Sequence, residues 1–397
     1  MKRPLLYGTT SGSGLVVAGT CLIAATYGLV RLAYGLFLPD ISASLGLDQV
    51  VAGRISSGAS LAYCVGAVCG LVWSQHPRAL VAGALVTASV GSLAMARAPD
   101  VTLFAPATVL ASMGAGLASP GLVGLVQRHV ATDRSARAQA VVNSGTGPGL
   151  VAAGAMALVL LPDWRLGFAL SAAGTVVAGS AVLLLDSRGD GPPARVAAAA
   201  GVPAPSPAWW RALLLPAVAA LLLGSASAVV WTYGRSQLVA AGAGVAASTA
   251  AWMAVGVGGI LTVLTARALG RLGPPRAWLV TTTAVAGATA CLGLVPGQLL
   301  AGVVAGTVFG WAFVAASSAL IAWAEQVDPQ RAAAGTAVLF VTLVLGQGLG
   351  SAVAGVVADR HGLPAAFWVA AVVAVGAAAC GLRTSRQPRG GPSGTHP

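Results

Sequence analysis

Long apolar segments recur along the whole of this 397-residue sequence, and polar residues are concentrated in the stretches between them. A helix needs about 20 apolar residues to cross the hydrocarbon layer of a bilayer. Twelve such helices would take about 240 residues, roughly 60% of the chain, which agrees with a hydrophobic content of 57%. Charged residues make up only 8% of the sequence, whereas soluble domains carry roughly 25%. The pattern predicts an all-α polytopic membrane protein. It excludes a soluble enzyme, a disordered chain and a protein with a single membrane anchor.

Prolines and glycines divide the apolar sequence into twelve candidate spans. The first is longer than the apolar part of a signal peptide, so we predict an uncleaved helix that stops at Pro39. The twelve spans are predicted to be Leu15–Leu38, Val51–Trp73, Ala79–Met95, Val101–Leu125, Gln139–Leu161, Leu166–Leu185, Ala212–Val239, Ala246–Leu269, Ala277–Leu294, Leu299–Trp323, Ala334–Val357 and Pro364–Leu382.

A single long polar stretch lies between the sixth and seventh spans. Residues 186–211 are rich in Pro, Gly, Ala and Arg, which is typical of a flexible linker. We therefore predict an N-terminal six-helix bundle over residues 1–185 and a C-terminal six-helix bundle over residues 212–383. Residues 384–397 resemble the linker in composition, and we predict a disordered cytoplasmic tail.

The two predicted bundles look like copies of one another. A shift of 199 residues places Tyr34-Gly35 on Tyr233-Gly234 and Phe168 on Phe367, and it also superimposes two glycine pairs. Agreement at one offset close to half the chain length indicates a duplication of six helices. Parallel six-helix repeats around a cavity near the middle of the membrane are a known transporter plan.

The positive charges predict the orientation of the spans. Of the 22 Lys and Arg residues, sixteen fall on the side of the N-terminus, three on the opposite side and three inside spans. Loops rich in Lys and Arg stay in the cytoplasm, so both termini are predicted to be cytoplasmic, in the inner (cytoplasmic) membrane. The surplus of +12 is explained by this topology, and we expect no nucleic-acid partner.

The chain resembles the major facilitator superfamily over nearly its whole length. The fourth span carries Gly114, Gly116 and Pro120 in a G-x-G-x-x-x-P pattern, and the fifth carries Gly147-Pro148-Gly149. The stretch R-x-A-Y-G-x-x-L-P, from Arg31 to Pro39, looks like the end of the first helix in one bacterial branch of this superfamily. The resemblance implies alternating access between two six-helix halves. For the glycines and prolines we expect close helix packing and bending during gating.

Arg31 is the most informative residue, because an arginine inside a spanning helix is costly and usually faces a partner or a wet cavity. With α-helical spacing, Tyr27, Arg31 and Tyr34 would share one face. Such a guanidinium can bind a carboxylate through two hydrogen bonds or stack on an aromatic ring. The alternatives are snorkelling toward the outer interface and a structural ion pair.

Further candidates for substrate contact lie in the fifth and seventh spans. Trp231, Tyr233 and Arg235 occupy the repeat-equivalent region, where an aromatic belt at the membrane interface is the alternative. Asn143 could contact a ligand or bond a neighbouring helix. We interpret Trp311 and Gln347 in the same two ways.

Coupling to protons requires an acid that titrates in the access pathway. Asp40, immediately after Pro39, is the best candidate, with Glu325 second; a solvated acid at a helix end is the alternative for Asp40. Neither a metal-binding motif nor a dinucleotide-binding motif is present in the sequence. The five cysteines lie in apolar stretches without C-x-x-C spacing, so we expect no cofactor, metal or disulfide framework.

The sequence thus predicts a secondary active transporter, not an enzyme, that moves a small organic solute, anionic or amphipathic, by alternating access. It is expected to work as a monomer, with protons as the candidate coupling ion. One alternative is an efflux pump for hydrophobic compounds, including drugs, and a more distant one is a membrane sensor that does not transport. The four histidines all fall in predicted loops or tails, which disfavours a membrane enzyme.

Overall fold

The computed structural model of the protein describes residues 10–186, 206–295 and 297–385. Within residues 10–186 the first half folds into eight α-helices and one π-helical segment, which cover the six predicted spans. Their bounds are α1 Thr10–Ile23, the π segment Ala24–Leu32, α2 Ala33–Leu45, α3 Gln49–Val72, α4 Pro77–Arg97, α5 Val101–His129, α6 Thr132–Asn143, α7 Thr146–Leu160 and α8 Trp164–Leu185.

The described residues of the second half fold into six α-helices and one short 3₁₀ turn. Its first helix begins at Pro207, five residues before the predicted start, because the side chain of Ser206 caps the backbone N–H of Trp209. The bounds are α9 Pro207–Ala240, α10 Val245–Leu272, α11 Pro274–Leu294, α12 Leu299–Val327, the 3₁₀ turn Pro329–Arg331, α13 Ala332–His361 and α14 Leu363–Ser385. Most of the predicted linker and nearly all of the predicted tail lie outside the described residues.

The first span is one continuous helical rod made of α1, the π segment and α2. The predicted stop at Pro39 is wrong, because the helix runs through this proline and ends at Leu45. Gly46 terminates it in the left-handed conformation, with φ of 66°, and donates its N–H to the carbonyl of Ser42. Proline is tolerated inside membrane helices when neighbouring groups satisfy the freed backbone. Pro39 leaves the carbonyl of Gly35 without its helical donor, and at the next residue an Arg235 N–H donates to the Leu36 carbonyl at 2.8 Å.

The fifth predicted span is interrupted between α6 and α7, at Ser144 and Gly145. Pro148 has no N–H to offer the carbonyl of Ser144, which accepts from Gly147 at 3.3 Å instead. This bond, which spans fewer residues, tightens the helix locally. A side chain at Gly145 would also overlap the Thr20 carbonyl, so the glycine lets the fifth span approach the first.

Eleven helical segments among the described residues are long and apolar enough to cross a membrane, and α6 with α7 supplies a further crossing. Many large apolar side chains on their outer faces are exposed, including Val159, Val177, Leu184, Val263 and Leu300. Exposed apolar faces of this kind match a lipid environment. The protein is an all-α, multi-pass membrane protein.

The two halves meet mainly along three helix pairs, which are α2 with α9, α3 with α13 and α7 with α10, and α3 also contacts α9. The contacts begin near the loops that follow Leu45 and Ala240, which we name the closed end. They continue along α3 as far as Cys64, whose Sγ lies 3.7 Å from the carbonyl of Val341. Beyond this point Gly66 and Gly70 of α3 pack against α5 of their own half. We name this opposite end, where Asp186 ends the first half and Ser206 begins the second, the linker end.

Candidate substrate site

A small cavity of about 30 Å³ lies between the halves, lined from α3, α9, α13 and the first span. A site needs about 10–15 Å³ to hold one water molecule, so the cavity has room for about two waters. Its lining is mixed, with one guanidinium, one amide, several hydroxyls and an indole. The residues that line it are Arg31, Leu32, Tyr34, Gly35, Ser56, Ala59, Ser60, Ala228, Trp231, Thr232, Gln347 and Ser351.

Arg31 reaches this cavity from the π segment. Its Nη2 donates to Oε1 of Gln347 at 3.0 Å, and its guanidinium lies over the Tyr63 ring, 4.7 Å from the centroid. The ion pairs among the described residues do not include Arg31. The guanidinium is therefore held by an amide and a ring, both neutral, and its positive charge is available to a ligand.

All three residues predicted to share a face on the first span contact α3. The hydroxyls of Tyr27 and Tyr63 lie 2.9 Å apart, and the Tyr34 hydroxyl donates to the Ala52 carbonyl at 2.9 Å. The α-helical spacing used to predict this face is wrong, because Ala24–Leu32 is a π-helix. A π-helical turn is wider than an α-helical one, and such turns are rare and frequent at functional sites.

Three hydroxyls from three helices form a triangle on the closed-end side of Arg31. Ser56 lies 2.9 Å from Thr232 and 3.0 Å from Ser351, and the last two are 3.2 Å apart. Each hydroxyl can donate to one neighbour and accept from the other. The triangle therefore joins the halves without an unpaired donor.

Nearer the closed end, Asp40 and Arg235 form an ion pair between the halves. Arg235 Nη1 lies 2.5 Å from a carboxylate oxygen of Asp40, and the two side chains, Arg235 and Asp40, are 2% and 14% exposed. The guanidinium also donates to Leu36 and to the hydroxyl of Ser248. The prediction that Asp40 follows the end of its helix is wrong, since α2 continues past it.

The remaining candidate residues lie around the cavity and the ion pair. Trp231 lines the cavity and contacts Phe309 and Phe313, with ring centroids 5.3 Å away in each case. Tyr233 is buried outside the cavity lining and donates its hydroxyl to the Gln49 carbonyl at 2.6 Å. Asn143 is exposed at the end of α6, bonded to Gln139, and it does not line the cavity.

The predicted packing residues lie where helices approach closely. Side chains at Gly114 and Gly116 would overlap α4 and α3 respectively, and Pro120 lies against Gly70. A side chain at Gly149 would overlap Ala24 in the π segment. Gly147 lies against Ile260 of the other half, whereas Pro148 is exposed. Bending of these helices during gating stays a prediction.

Tyr63, Ser56, Thr232 and Ser351 belong to the site, but sequence reasoning does not single them out. A single tyrosine, serine or threonine in an apolar span carries little signal, since such hydroxyls commonly bond their own helix. Thr175 does so, for example, through the carbonyl of Ser171. Sequence alone leaves Gln347 undecided between ligand contact and helix bonding. In the structure its carboxamide oxygen accepts a hydrogen bond from Arg31.

A family model described as an uncharacterised MFS-type transporter, YbfB, matches residues 23–382 of the chain. This chain belongs to the major facilitator superfamily. The match covers both halves and makes the protein a transporter. Among curated proteins, none matches the sequence. Assignment to the bacterial branch suggested by the first-helix motif stays a prediction.

Solved transporters share the fold of this superfamily member at low sequence identity. The nucleoside transporter NupG aligns with a TM-score of 0.77 at 14% identity, over 96% of this chain and 100% of its own. A bacterial homolog of the human lysosomal transporter Spinster, inward-facing and unoccupied, gives 0.77 at 15% identity, over 97% and 98%. The xylose transporter XylE from E. coli, partially occluded and inward open, gives 0.73 at 13% identity, over 96% and 98%. These similarities establish the fold of the two halves.

Proposed function

We propose that this transporter is a secondary active carrier of a small organic anion and that Arg31 binds the carboxylate of its substrate. The observation that carries the proposal is a guanidinium in a membrane-spanning segment with only neutral partners, an amide and a ring. A charge at such depth is costly and usually functional. A carboxylate could take two parallel hydrogen bonds from the guanidinium.

The way the halves contact each other supports alternating access. The ion pair, the hydroxyl triangle and the Tyr233–Gln49 bond all tie the halves together from the cavity toward the closed end. With both termini in the cytoplasm of the cell, as the charge distribution predicts, the closed end faces outward. In that orientation the contacts described here would close the outer side of the transporter, and rocking of the halves is proposed to open it.

Protons are the proposed coupling ion, with Asp40 as the titrating group. Protonation of Asp40 would remove the negative charge that holds Arg235 of the other half. An ion pair that exists in one state of the cycle and is broken in another links proton binding to the movement of the halves. Glu325 is exposed at the linker end of α12, away from this contact.

Binding and transport by Arg31 variants test the proposal. Purified protein in liposomes is assayed with a panel of radiolabelled carboxylates, and the acid that accumulates is compared for wild type, Arg31→Lys and Arg31→Ala. Arg31→Lys keeps the charge but loses two-pronged binding, so we expect partial activity, and Arg31→Ala should lose uptake. Arg54→Ala is the matched control, because Arg54 is exposed near the closed end of α3 and outside the cavity lining. Unchanged apparent affinity in a folded Arg31→Ala protein would contradict the proposal.

A second candidate function is efflux of hydrophobic compounds. It is favoured by the aromatic cluster of Trp231, Trp252, Phe309 and Phe313 beside the cavity. Such a pump would move uncharged or cationic lipophilic dyes, and Arg31→Ala would leave that movement unchanged or increase it. A non-transporting sensor would bind a ligand in the same liposomes without flux.

A further inference from the structure

The hydrogen bond between Arg31 and Gln347 connects the two halves at the cavity. Arg31 belongs to the π segment of the first half and Gln347 to α13 of the second, and both side chains line the same space. The cavity around them is only about 30 Å³, so it has no room for an organic solute while this bond is in place. A substrate that reaches Arg31 must therefore displace a group that now fills the site.

Gln347 is the group whose chemistry most resembles a bound carboxylate. Its amide Oε1 is a planar carbonyl oxygen that lies 3.0 Å from a guanidinium nitrogen, as one oxygen of a carboxylate would. The amide differs from a carboxylate by carrying no charge. A carboxylate can accept two parallel hydrogen bonds from the guanidinium and adds the attraction between opposite charges, whereas the amide oxygen accepts a single bond. A carboxylate can thus replace the amide with a gain, whereas a neutral isostere cannot.

We propose that Gln347 occupies the carboxylate position on Arg31 in the empty transporter, and that an anionic substrate displaces it. This inference rests on the proposed function of Arg31 as the carboxylate-binding residue. Displacement breaks the Arg31–Gln347 link between the π segment and α13 at the level of the cavity. The negative charge of the substrate then has two effects. It strengthens binding to Arg31, and it releases a contact between the two halves. Uncharged analogues of the same shape cannot displace the Gln347 amide from Arg31, so they do not bind at the cavity.

Two substitutions at Gln347 separate this role from simple packing. Gln347→Leu removes the competing oxygen with little change in volume, so carboxylate binding should become about 2- to 10-fold tighter, which corresponds to the loss of one competing hydrogen bond. Gln347→Glu places a carboxylate of the protein itself on Arg31, so binding should weaken by at least about 10-fold. Gln237→Leu is the matched control, since this buried glutamine bonds the Leu292 carbonyl within the second half.

The experiment titrates purified full-length protein with acetate, lactate and benzoate, each paired with its uncharged amide, and follows the shift in melting temperature. Wild type should respond to at least one acid and not to its amide. We expect the Gln347→Leu protein to bind that acid more tightly, the Gln347→Glu protein to bind it more weakly, and the Gln237→Leu protein to match wild type.

The outcomes distinguish this inference from the function on which it rests. If Arg31→Ala binds the acid as wild type does, or if wild type binds none of the acids, both are overturned. If Arg31→Ala abolishes binding while both Gln347 variants bind like wild type or both bind more weakly, only the role of Gln347 is overturned. Should Gln347→Glu fail to fold, unchanged or weaker binding by Gln347→Leu suffices to reject it.

Discussion

Replacing Asp40 with asparagine should release the closed end of the transporter. The substitution keeps the size and shape of the side chain but removes the negative charge next to Arg235, whose side chain is only 2% exposed. The ion pair joins α2 of one half to α9 of the other, so it stabilises only the state in which these helices are in contact. We expect Asp40→Asn to shift the population toward a state in which the closed end is open.

The size of this shift follows from the burial and geometry of the pair. Two unit charges about 4 Å apart interact with about 4 kcal/mol at the effective dielectric of roughly 20 that suits such sites. The amide oxygen of the introduced asparagine would still accept a hydrogen bond from Arg235, so about half of this energy is retained. A loss of about 2 kcal/mol corresponds to a roughly 30-fold change in the equilibrium between states.

Spin labels on cysteines introduced at Ala43 of α2 and Ala246 of α10, both exposed near the closed end, would report the distance between the two halves by pulsed electron paramagnetic resonance. The native cysteines are replaced in this background. Asp40→Asn should add or enlarge a long-distance population. Asp48→Asn is the matched control, because exposed Asp48 caps α3 through the Val51 N–H and asparagine caps equally well. If the distance distribution of Asp40→Asn equals that of wild type and of Asp48→Asn, the ion pair does not hold the halves together.

Two further substitutions test the packing of the first half. Gly28→Ala should lower stability by about 1–3 kcal/mol, because its new methyl group would overlap the backbone of Gly149. Gly287→Ala, with no atom within 4 Å of the added carbon, should leave the melting temperature unchanged or raise it; equal melting temperatures for the two variants would refute the close contact. Asp186→Asn should cost about 1–2 kcal/mol, since the buried carboxylate lies 3.3 Å from both His129 and Arg78 while the Arg78 side chain is 42% exposed and partly screened by solvent. A melting temperature equal to that of wild type would contradict this role.

The gross architecture could be predicted from sequence because it depends on apolar length alone. The first span shows where that reasoning fails. Pro39 is a stop signal by local rules, but the bilayer favours continued helix, and a side chain from α9 bonds the nearby Leu36 carbonyl. The fifth span fails for a different reason, since its interruption at Gly145 depends on how closely α1 approaches. Hydropathy contains no information on such tertiary contacts.

The candidate site could be predicted only in part, for a similar reason. Rare charges in apolar spans stand out, so Arg31, Asp40 and Arg235 can be selected without a structure. Their partners cannot be assigned, because Asp40 and Arg235 are 195 residues apart and only the meeting of two helices unites them. Hydroxyl residues such as Ser56 are common in membrane helices. Their role depends on which neighbours they meet.

The crossing of the first and seventh spans has a consequence for symmetry. Arg235 bonds Leu36, which lies 199 residues earlier in the chain, the same offset that the sequence predicts for the repeat. A residue placed at this crossing therefore meets its own counterpart, and two identical subunits with arginine here would bring two positive charges together. Joining both copies in one polypeptide removes that restriction. The first half has Leu36 at this position and supplies Asp40, and the second half supplies Arg235. The two sides of the crossing therefore carry opposite charges, which a symmetric dimer could not have.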